Sequence, residues 1–258
     1  MNGRQYALVT GASSGIGECF ARRLAARRKD LVLTSRSEDK LKAFCEELSR
    51  AHGIRAESVA IDLSGPQATQ ALMRILGERR IEIDLLVNNA GAGAHGEFWT
   101  VPLDRLLEIL RLNIEALVEL CRLLVPPMIE RRAGSIINVS STASFQSLPY
   151  SSAYAATKSF VTSFSMGIAE ELRPYGIKVV TLCPGTTRTN FFAAGGYPKI
   201  RFRGGLQAPE EVADVGLRQL DRGGGLVLAR NIDKVLIFAE RFLPRTFVIR
   251  SAGALFKK

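Results

Sequence analysis

Histidine, tryptophan and cysteine are scarce in this sequence of 258 residues, which has two His, one Trp and four Cys. The cysteines lie far apart, so we expect scattered buried thiols in a reducing compartment. His52 and His95 are the only histidines, and no cysteine pair accompanies them. A zinc site is therefore not expected, and we predict no bound metal.

Long apolar runs are missing as well. No stretch of about 18 apolar residues is free of charges, so no membrane-spanning helix is predicted. The first predicted strand begins by Gln5, which is expected to leave no room for a signal peptide. We find no internal repeat and no Pro/Ser-rich linker. We therefore expect one domain over residues 1–258 and a cytoplasmic location, with peripheral attachment to a membrane as the alternative.

Lysine and arginine outnumber the acidic residues and give a formal charge of +10. No run of five or more basic residues occurs and no basic segment is interleaved with aromatics, so nucleic-acid binding is not expected. Eight basic residues against two acidic ones lie between Arg222 and the C-terminus. This segment could meet an anionic membrane surface or an acidic carrier protein, or it could be a solvated surface without a partner.

Short apolar runs alternate with helical patterns along the chain. Strands are predicted at residues 6–9, 31–33, 58–61, 83–87, 136–139, 179–182 and 226–228. Helices are predicted at 15–29, 37–53, 66–79, 102–132 (with a bend at Pro126 and Pro127) and from the Tyr154 region to 173. This alternation indicates an α/β doubly wound Rossmann-type fold: one mostly parallel sheet of about seven strands with helices on both faces.

The residues that could carry chemistry share one position in this pattern. Each group follows a predicted strand: the glycine-rich turn at 11–17, Arg36, Asp62, residues 88–91, Ser141 and Pro184-Gly185. In open α/β sheets, ligands bind outside the carboxyl ends of the strands. The sequence therefore predicts a single site at that edge.

Gly11, Gly15 and Gly17 have the spacing G-x-x-x-G-x-G, which departs from the usual dinucleotide fingerprint G-x-G-x-x-G. Glycines at these positions still allow a tight turn and a close approach of backbone N–H groups to a pyrophosphate at a helix N-terminus. Ser13 and Ser14 could add hydroxyl contacts. The alternative is an ordinary glycine-rich turn without a ligand.

Dinucleotide-binding folds place an acidic residue after the second strand when the ribose has a free 2′-hydroxyl, and an arginine when it carries a phosphate. Ser35 and Arg36 occupy that place here, without Asp or Glu, which favours NADP over NAD. The alternative is a surface arginine with no influence on the cofactor. Asp62 could accept a hydrogen bond from the adenine amino group and Leu63 could pack on the ring, unless Asp62 only caps a helix.

Tyr154 and Lys158 lie four residues apart and share one face of a predicted helix. A nearby ammonium favours the phenolate and is expected to lower the pKa of Tyr154 toward the range of general acid–base catalysis. Alone the pair is weak evidence, because such pairs are common on solvated helices. Ser141, thirteen residues upstream at the end of the fifth predicted strand, strengthens it.

Taken together, the sequence resembles the classical short-chain dehydrogenase/reductase family over residues 10–189. The matching motifs are Thr10-Gly-x-x-x-Gly-Ile-Gly17, Asn88-Asn-Ala-Gly91, Asn113, Ser141, Tyr154-x-x-x-Lys158 and Pro184-Gly185-x-x-x-Thr189. Each motif alone is unspecific, whereas their combination in the family's order is highly specific. One departure is Thr186, where the family usually has an aliphatic residue.

The resemblance implies the catalytic roles. Tyr154 would donate a proton to the substrate carbonyl oxygen in reduction, or remove it in oxidation. Lys158 would lower the pKa of Tyr154 and bind the nicotinamide ribose, and Ser141 would hold the substrate oxygen. Asn113 would orient a water that links Lys158 to solvent. Ser140 is an adjacent alternative to Ser141; strand alternation puts one of them into the site, and the spacing to Tyr154 favours Ser141.

The resemblance also implies a nicotinamide cofactor, which supplies the hydride. The residues expected to contact it are Gly11, Ser13, Ser14, Gly15, Ile16, Gly17, Arg36, Asp62, Leu63, Asn89, Ala90, Gly91, Tyr154, Lys158, Pro184, Gly185 and Thr189. His95, in the loop after Gly91, is interpreted as a loop residue rather than a catalyst.

Residues 190–206 match the stretch that forms a mobile lid over the substrate in this family. Its aromatic and basic residues are Phe191, Phe192, Tyr197, Lys199, Arg201, Phe202 and Arg203. They predict a hydrophobic carbonyl or alcohol substrate with an anionic end, such as an acyl thioester carrier. The alternative is that the aromatic side chains simply pack.

The basic C-terminal extension from about Asn231 is longer than the sheet requires and has a strongly apolar face. This favours a subunit contact in a homodimer or homotetramer over contact with a membrane surface. The leading hypothesis is an NADP-dependent oxidoreductase that acts on a carbonyl/alcohol pair. The alternatives are a regulatory protein that binds NADP without turnover and a membrane-associated scaffold protein. The complete set of Ser141, Tyr154 and Lys158 argues against both.

Overall fold

A computed structural model describes residues 4–198 and 205–257. Among these residues, seven strands form one sheet in the order β3-β2-β1-β4-β5-β6-β7, and all neighbouring strands are parallel. The strands are β1 Gln5–Thr10, β2 Asp30–Ser35, β3 Ala56–Ala60, β4 Glu82–Asn88, β5 Gly134–Val139, β6 Ile177–Cys183 and β7 Gly225–Leu228. The predicted doubly wound α/β fold is confirmed.

The described helices that precede β6 follow the predicted pattern closely, whereas the helices that follow it were not predicted from the sequence. They are α1 Gly15–Ala26, α2 Glu38–His52, α3 Ala68–Glu78, α4 Leu103–Leu110, α5 Ala116–Glu130, α6 Ser152–Leu172, α7 Phe191–Ala194, α8 Pro209–Asp221, α9 Asn231–Glu240 and α10 Arg245–Phe256. In α2, Leu41, Phe44 and Leu48 are buried at i, i+3 and i+7. This helix ends at Gly53, whose φ of +62° suits the left-handed C-terminal position that glycine favours.

Side chains on the two faces of the sheet enter two separate apolar cores. In β2, Leu31 and Leu33 join the core that contains Phe20 of α1, whereas Val32 joins the core that contains Leu72 of α3. Because helices cover both faces, the central strands β1, β4 and β5 have buried residues at successive positions rather than at alternate ones. The helices leave the carboxyl edge of the sheet open, and the chain order reverses there between β1 and β4.

The long helix predicted before β5 is interrupted, but the interruption does not lie at the prolines. A π-helical turn, Arg111–Glu115, follows α4, and α5 then continues as an α-helix through Pro126 and Pro127. The turn is fixed by Asn113, whose side chain bonds to the backbone of Ala92. The sequence prediction missed this turn because its stabilising contact comes from a distant loop. Such turns are frequent at functional sites.

The four cysteines are buried free thiols, as the sequence predicted: Cys19, Cys45, Cys121 and Cys183. In the part of the chain that the structure describes, no group of three or more His, Cys, Asp or Glu side chains could hold a metal ion. Over the same two ranges, none of the helices combines the length and apolarity that crossing a bilayer requires.

Candidate active site

A cavity of about 660 Å³ opens at the carboxyl edge of the sheet. Most residues predicted from the sequence line it: Gly11, Ser13, Ser14, Gly15, Ile16, Arg36, Asp62, Leu63, Asn89, Ala90, Gly91, Ser141, Tyr154, Lys158, Pro184, Gly185 and Thr189. Gly17 and Asn113 do not line the cavity, but each contacts residues that do. The fold therefore brings the predicted groups to one place.

The glycine-rich turn forms one end of the cavity. Gly11 and Gly15 have φ values of +65° and +59°, which residues with a Cβ rarely adopt. A Cβ on Gly17 would collide with the carbonyl oxygen of Gly11 and with the side chain of Asn89. Ser14 is the N-cap of α1 but makes no side-chain capping hydrogen bond. The N–H groups of the first turn of α1 are therefore not capped by this side chain, and a helix N-terminus of this kind favours an anion.

Thr10, the first residue of the glycine-rich motif, has a structural role in the site that the sequence did not assign to it. Its Oγ1 accepts hydrogen bonds from the N–H of Asn89 at 3.0 Å and from the N–H of Ala90 at 2.9 Å. The Asn89 side chain donates in return to the carbonyl oxygen of Thr10 at 2.9 Å. These bonds hold the loop after β4 against the glycine-rich turn.

Thr10→Val is expected to destabilise the protein, because valine keeps the shape but leaves the N–H groups of Asn89 and Ala90 without their acceptor. An unpaired buried donor costs roughly 1–3 kcal/mol, so the free energy of unfolding should fall by at least that order. Urea unfolding at neutral pH measures the change. Thr10→Ser keeps the hydroxyl and serves as the control. Equal stability of the valine and serine variants would contradict the assignment of these bonds.

Arg36 and Asp62 follow β2 and β3, and both are exposed. The Arg36 side chain is 72% exposed, and its Nη1 lies 3.9 Å from Oε1 of Glu108. The Oδ1 atom of Asp62 accepts hydrogen bonds from the N–H and the hydroxyl of Ser64, at 3.0 and 2.7 Å. Burial acts to raise the pKa of Asp62, but these bonds and the charge of Arg36 hold the pKa below its usual value. Asp62 therefore stays ionised at neutral pH, with one carboxylate oxygen bonded inside its own loop.

Ser141, Tyr154 and Lys158 meet at another part of the cavity wall. Lys158 is 5% exposed, and its Nζ donates to the carbonyl oxygen of Val139 at 2.8 Å. The same Nζ lies 5.9 Å from the centre of the Tyr154 ring. The hydroxyl of Ser140 donates to the backbone carbonyl of Lys158 at 2.9 Å. Ser140 is thus engaged inside the protein, whereas Ser141 is the serine beside Tyr154.

The electrostatics of this pair differ from the sequence expectation. Burial raises the pKa of Tyr154, and a hydrogen bond with Ser141 acts in the opposite direction without reversing the rise. Burial also lowers the pKa of Lys158 from its ordinary 10.5 to about 8. The expected lowering of the Tyr154 pKa by Lys158 is not found, because desolvation disfavours the charged forms of both groups. Tyr154 is therefore a neutral phenol at pH 7, the form that can donate a proton.

Asn113 is buried next to the part of the cavity that contains Tyr154 and Lys158. It is 1% exposed, and its Nδ2 donates to the carbonyl oxygen of Ala92 at 2.9 Å and to the hydroxyl of Thr157 at 3.0 Å. Its Oδ1 accepts from the N–H of Ala92 at 2.9 Å. A Cβ on Gly91 would lie 3.3 Å from this oxygen and 3.5 Å from Nζ of Lys158, so both atoms face the same small space. The role of Asn113 in orienting a water stays a prediction.

Aromatic side chains close the cavity beyond Tyr154. The ring of Phe191 lies 5.0 Å from the Tyr154 ring and 5.8 Å from the ring of Tyr197, between centres. The hydroxyls of Tyr197 and Ser151 are 2.5 Å apart. Phe256 of α10 also lines this part of the cavity. Outside the described residues lie four members of the predicted lid: Lys199, Arg201, Phe202 and Arg203.

His95 does not line the cavity in the described structure. Its Nε2 lies 2.9 Å from the carbonyl oxygen of Phe256, and its ring centre lies 5.4 Å from that of Tyr197. The histidine therefore connects the loop after β4 to α10. This position suits the interpretation of His95 as a loop residue.

An ion pair at the start of α9 is a second feature that sequence reasoning missed. Nε and Nη2 of Arg230 donate to the two carboxylate oxygens of Asp233 at 3.0 and 2.9 Å. The two side chains are 18% and 8% exposed. A Cβ on Gly185 would collide with both, so the pair packs directly on the Pro184-Gly185 turn. The i, i+3 spacing of opposite charges was the available signal, but it is common on helix surfaces.

The chain matches known proteins over most of its length. The model of the family described as short chain dehydrogenase matches residues 5–196. The very-long-chain 3-oxoacyl-CoA reductase of Rattus norvegicus is 34% identical, over 76% of this chain and 62% of the rat protein. The ketoacyl reductase HetN of a Nostoc species is 30% identical, over 83% of this chain and 74% of its own length. The chain thus spans less than two thirds of the rat protein.

A solved structure extends this similarity to the fold. The short-chain dehydrogenase from Sphingobium yanoikuyae in complex with NADPH is 31% identical and superposes with a TM-score of 0.82. The match covers 92% of this chain and 94% of the other. The similarity therefore includes the sheet and the helices around it, well beyond the glycine-rich turn.

Proposed function

The chain belongs to the short-chain dehydrogenase/reductase family of oxidoreductases, which act on alcohol and ketone groups with a nicotinamide cofactor, and we propose that it is an NADP-dependent member that reduces a carbonyl group or oxidises a secondary alcohol on a hydrophobic or acyl-type substrate. The observation that carries this proposal is the meeting of Ser141, Tyr154 and Lys158 in the cavity that also contains the glycine-rich turn.

The cavity fits a dinucleotide along its length. A pyrophosphate would lie at the N-terminus of α1, where Gly11 and Gly15 have no side chains that would block its approach to the backbone N–H groups. The loop after β4, fixed by Thr10, and the Pro184-Gly185 turn would hold the nicotinamide end, with Thr189 nearby. When bound, the nicotinamide supplies hydride transfer to or from carbon.

The chain's own residues carry out the proton transfer. Tyr154, neutral at pH 7, donates its phenol proton to the substrate oxygen in reduction and accepts a proton in oxidation. The Ser141 hydroxyl holds that oxygen by a hydrogen bond. Lys158, with a pKa of about 8, changes protonation near neutral pH and can return the proton to Tyr154. Asn113 would hold a water beside Gly91 that connects Lys158 to solvent.

Arg36 supports the preference for NADP over NAD. It is an exposed cation at the end of β2, and among the described residues its ion-pair contact is the 3.9 Å approach to Glu108. A ribose 2′-phosphate could displace this weak contact and form charge-assisted hydrogen bonds with the guanidinium. The Sphingobium protein, which this chain resembles, was solved with NADPH.

Arg36→Ala is expected to lower kcat/KM for NADPH by about 10- to 100-fold, because a hydrogen bond to a charged group contributes roughly 1.5–3 kcal/mol. The value for NADH, which has no 2′-phosphate, should change little. Steady-state kinetics with both cofactors measure the ratio. Arg50→Ala, which removes an exposed arginine of α2, is the control. A parallel fall for both cofactors would count against a phosphate-binding role.

The aromatic end of the cavity supports a hydrophobic substrate. Phe191, Tyr197 and Phe256 line the cavity beyond Tyr154, where the hydroxyls of Ser151 and Tyr197 pair with each other. The rat and Nostoc relatives carry the names of oxoacyl-CoA and ketoacyl reductases. Turnover of 3-oxoacyl thioesters and bulky aliphatic ketones should exceed that of small polar sugars. The opposite order would overturn the substrate assignment.

The expected organisation is one domain over residues 1–258 in a homodimer or homotetramer. The seven-stranded sheet draws strands from Gln5 to Leu228, and the C-terminal helices pack at its carboxyl edge. Light scattering of the purified protein measures the number of subunits. A monomer at all concentrations tested would remove the oligomer from the proposal.

A further inference from the structure

The two C-terminal helices are poorly covered by the rest of the described chain. Their buried residues are Asp233 in α9 and Phe256 in α10, whereas α1, with the same length as α10, has six. Helices this short draw most of their stability from packing. An exposed pair at this position therefore indicates a surface that binds a partner.

The uncovered side chains are large and apolar. We define the apolar rim as Trp99, Val235, Phe238, Phe242, Phe247 and Leu255. Trp99 is 78% exposed and Phe242 is 75% exposed. Val235, Phe238 and Phe242 follow the spacing i, i+3, i+7, so they share one side of α9 and the turn after it. The Phe238 and Phe242 rings lie 5.3 Å apart, and an exposed apolar patch marks an interaction site.

The apolar rim borders the mouth of the cavity. Leu255 belongs to the rim and also lines the cavity, next to Leu236 and Phe256. His95 ties α10 to the loop after β4 through its contact with the Phe256 carbonyl. Trp99 follows four residues later in that loop. The Leu255 end of the rim therefore lies at the cavity that a substrate would enter.

Positive charge accompanies the apolar rim. Five exposed basic residues lie in the same two helices and their connections: Lys234, Arg241, Arg245, Arg250 and Lys257. Of the acidic residues in this segment, Asp233 is paired with Arg230, and burial raises the pKa of Glu240. The C-terminal helices therefore form an apolar surface with a cationic border, and Glu97 is an exposed acidic residue beside Trp99.

This combination selects among partners. In a two-fold contact the patch meets itself, so a second copy would place this cationic border against its own like charges. The phosphates of a nucleic acid would pair with the basic side chains, but they would not cover the exposed phenylalanine side chains. A bilayer that contains anionic phospholipids satisfies both, because its headgroups attract Lys and Arg while its acyl chains accept aromatic and aliphatic side chains.

We propose that the apolar rim docks the cavity mouth on an anionic phospholipid bilayer, and that the hydrophobic substrate reaches the site from the lipid. The second half of this statement rests on the function proposed above; the docking does not. Trp99 would lie at the interface between headgroups and acyl chains, where tryptophan is favoured.

The single tryptophan makes docking directly measurable. Vesicles of phosphatidylcholine with phosphatidylglycerol should shift the emission of Trp99 to shorter wavelength, and the protein should sediment with them. Pure phosphatidylcholine vesicles should bind less, and salt should weaken binding to the anionic ones. An unchanged spectrum together with no sedimentation would overturn the proposal.

Two double variants that remove equal charge distinguish binding through the rim from binding through the net charge of the protein. Arg241→Gln with Arg245→Gln should lower vesicle partitioning by about 10- to 30-fold, since each basic residue near the surface contributes on the order of 1 kcal/mol. Arg80→Gln with Arg173→Gln removes the same charge just before β4 and β6, at the opposite edge of the sheet, and should bind like wild type. Equal losses in the two double variants would reduce the effect to net charge and contradict a specific docking surface.

Phe242→Ser tests whether the apolar side chains contribute to vesicle binding, and whether a second copy of the chain covers the rim instead. The side chain is largely exposed, so folding should be retained while vesicle binding falls. A dimer that dissociates in Phe242→Ser, with wild-type protein that does not bind vesicles, would assign the surface to a second copy. Tyr154→Phe should bind vesicles like wild type, so a failure of the catalytic proposal is distinguishable from a failure of docking.

Discussion

Tyr154→Phe is expected to lower kcat for ketone reduction with NADPH by about 10²–10⁴-fold, the usual contribution of a positioned general acid. The variant removes the phenol proton and keeps the ring that packs 5.0 Å from Phe191, so the cavity should retain its shape. Steady-state and single-turnover kinetics measure the loss. NADPH binding, followed by fluorescence titration, should remain largely intact.

Tyr150→Phe is the matched control, because it removes a nearby phenol that does not line the cavity in the described structure. A Tyr154→Phe enzyme that keeps most of its turnover would place the acid elsewhere. Wild-type protein that binds NADPH yet turns over no carbonyl or alcohol would instead support the regulatory alternative. A protein that binds neither would leave the scaffold alternative.

Lys158→Met is expected to change how stability depends on pH. In the folded protein, burial lowers the pKa of Lys158 to about 8, compared with 10.5 for an exposed lysine. Below pH 8 both states bind the proton, and between pH 8 and 10.5 the unfolded chain binds more protons than the folded one. Stability from this group therefore rises with pH across that window, by roughly 3 kcal/mol in total. The methionine variant cannot show this rise.

Urea unfolding of both proteins at several pH values between 8 and 10.5 gives the difference directly, because other titrating groups are common to the pair. Lys178→Met, on the exposed surface of β6, controls for the removal of a lysine elsewhere in the sheet. A constant difference between wild type and Lys158→Met would mean that Nζ is solvated in the folded state. Turnover by Lys158→Met, measured in parallel, tests its proposed role in the proton path.

Burial of Tyr154 and Lys158 accounts for the proton transfer that we propose for the site. Desolvation keeps Tyr154 protonated and brings the pKa of Lys158 close to neutral pH. A proton can then be held on the phenol and exchanged through a nearby amine. The sequence motif indicated the partners correctly, but it suggested the opposite direction for the pKa of Tyr154, because spacing along a helix contains no information about burial.

Three further contacts of the site join segments that are distant in the sequence. The hydroxyl of Thr10 bonds to residues 79 and 80 positions away, and Asn113 bonds to Ala92 across a π-helical turn. The Arg230–Asp233 pair packs on Gly185 from a different element. Each contact joins segments that only the finished fold brings together, so no local pattern could reveal it.

The amino-acid sequence by itself determined the strands, the helices that precede β6, the parallel arrangement of the strands and the edge at which the site lies. Those features follow from local apolar periodicity, from turn residues and from the handedness of parallel connections. The tertiary structure alone decided how strongly Tyr154 and Lys158 are desolvated and which helices are uncovered. Those properties depend on long-range packing, since burial is set by elements far apart in the chain.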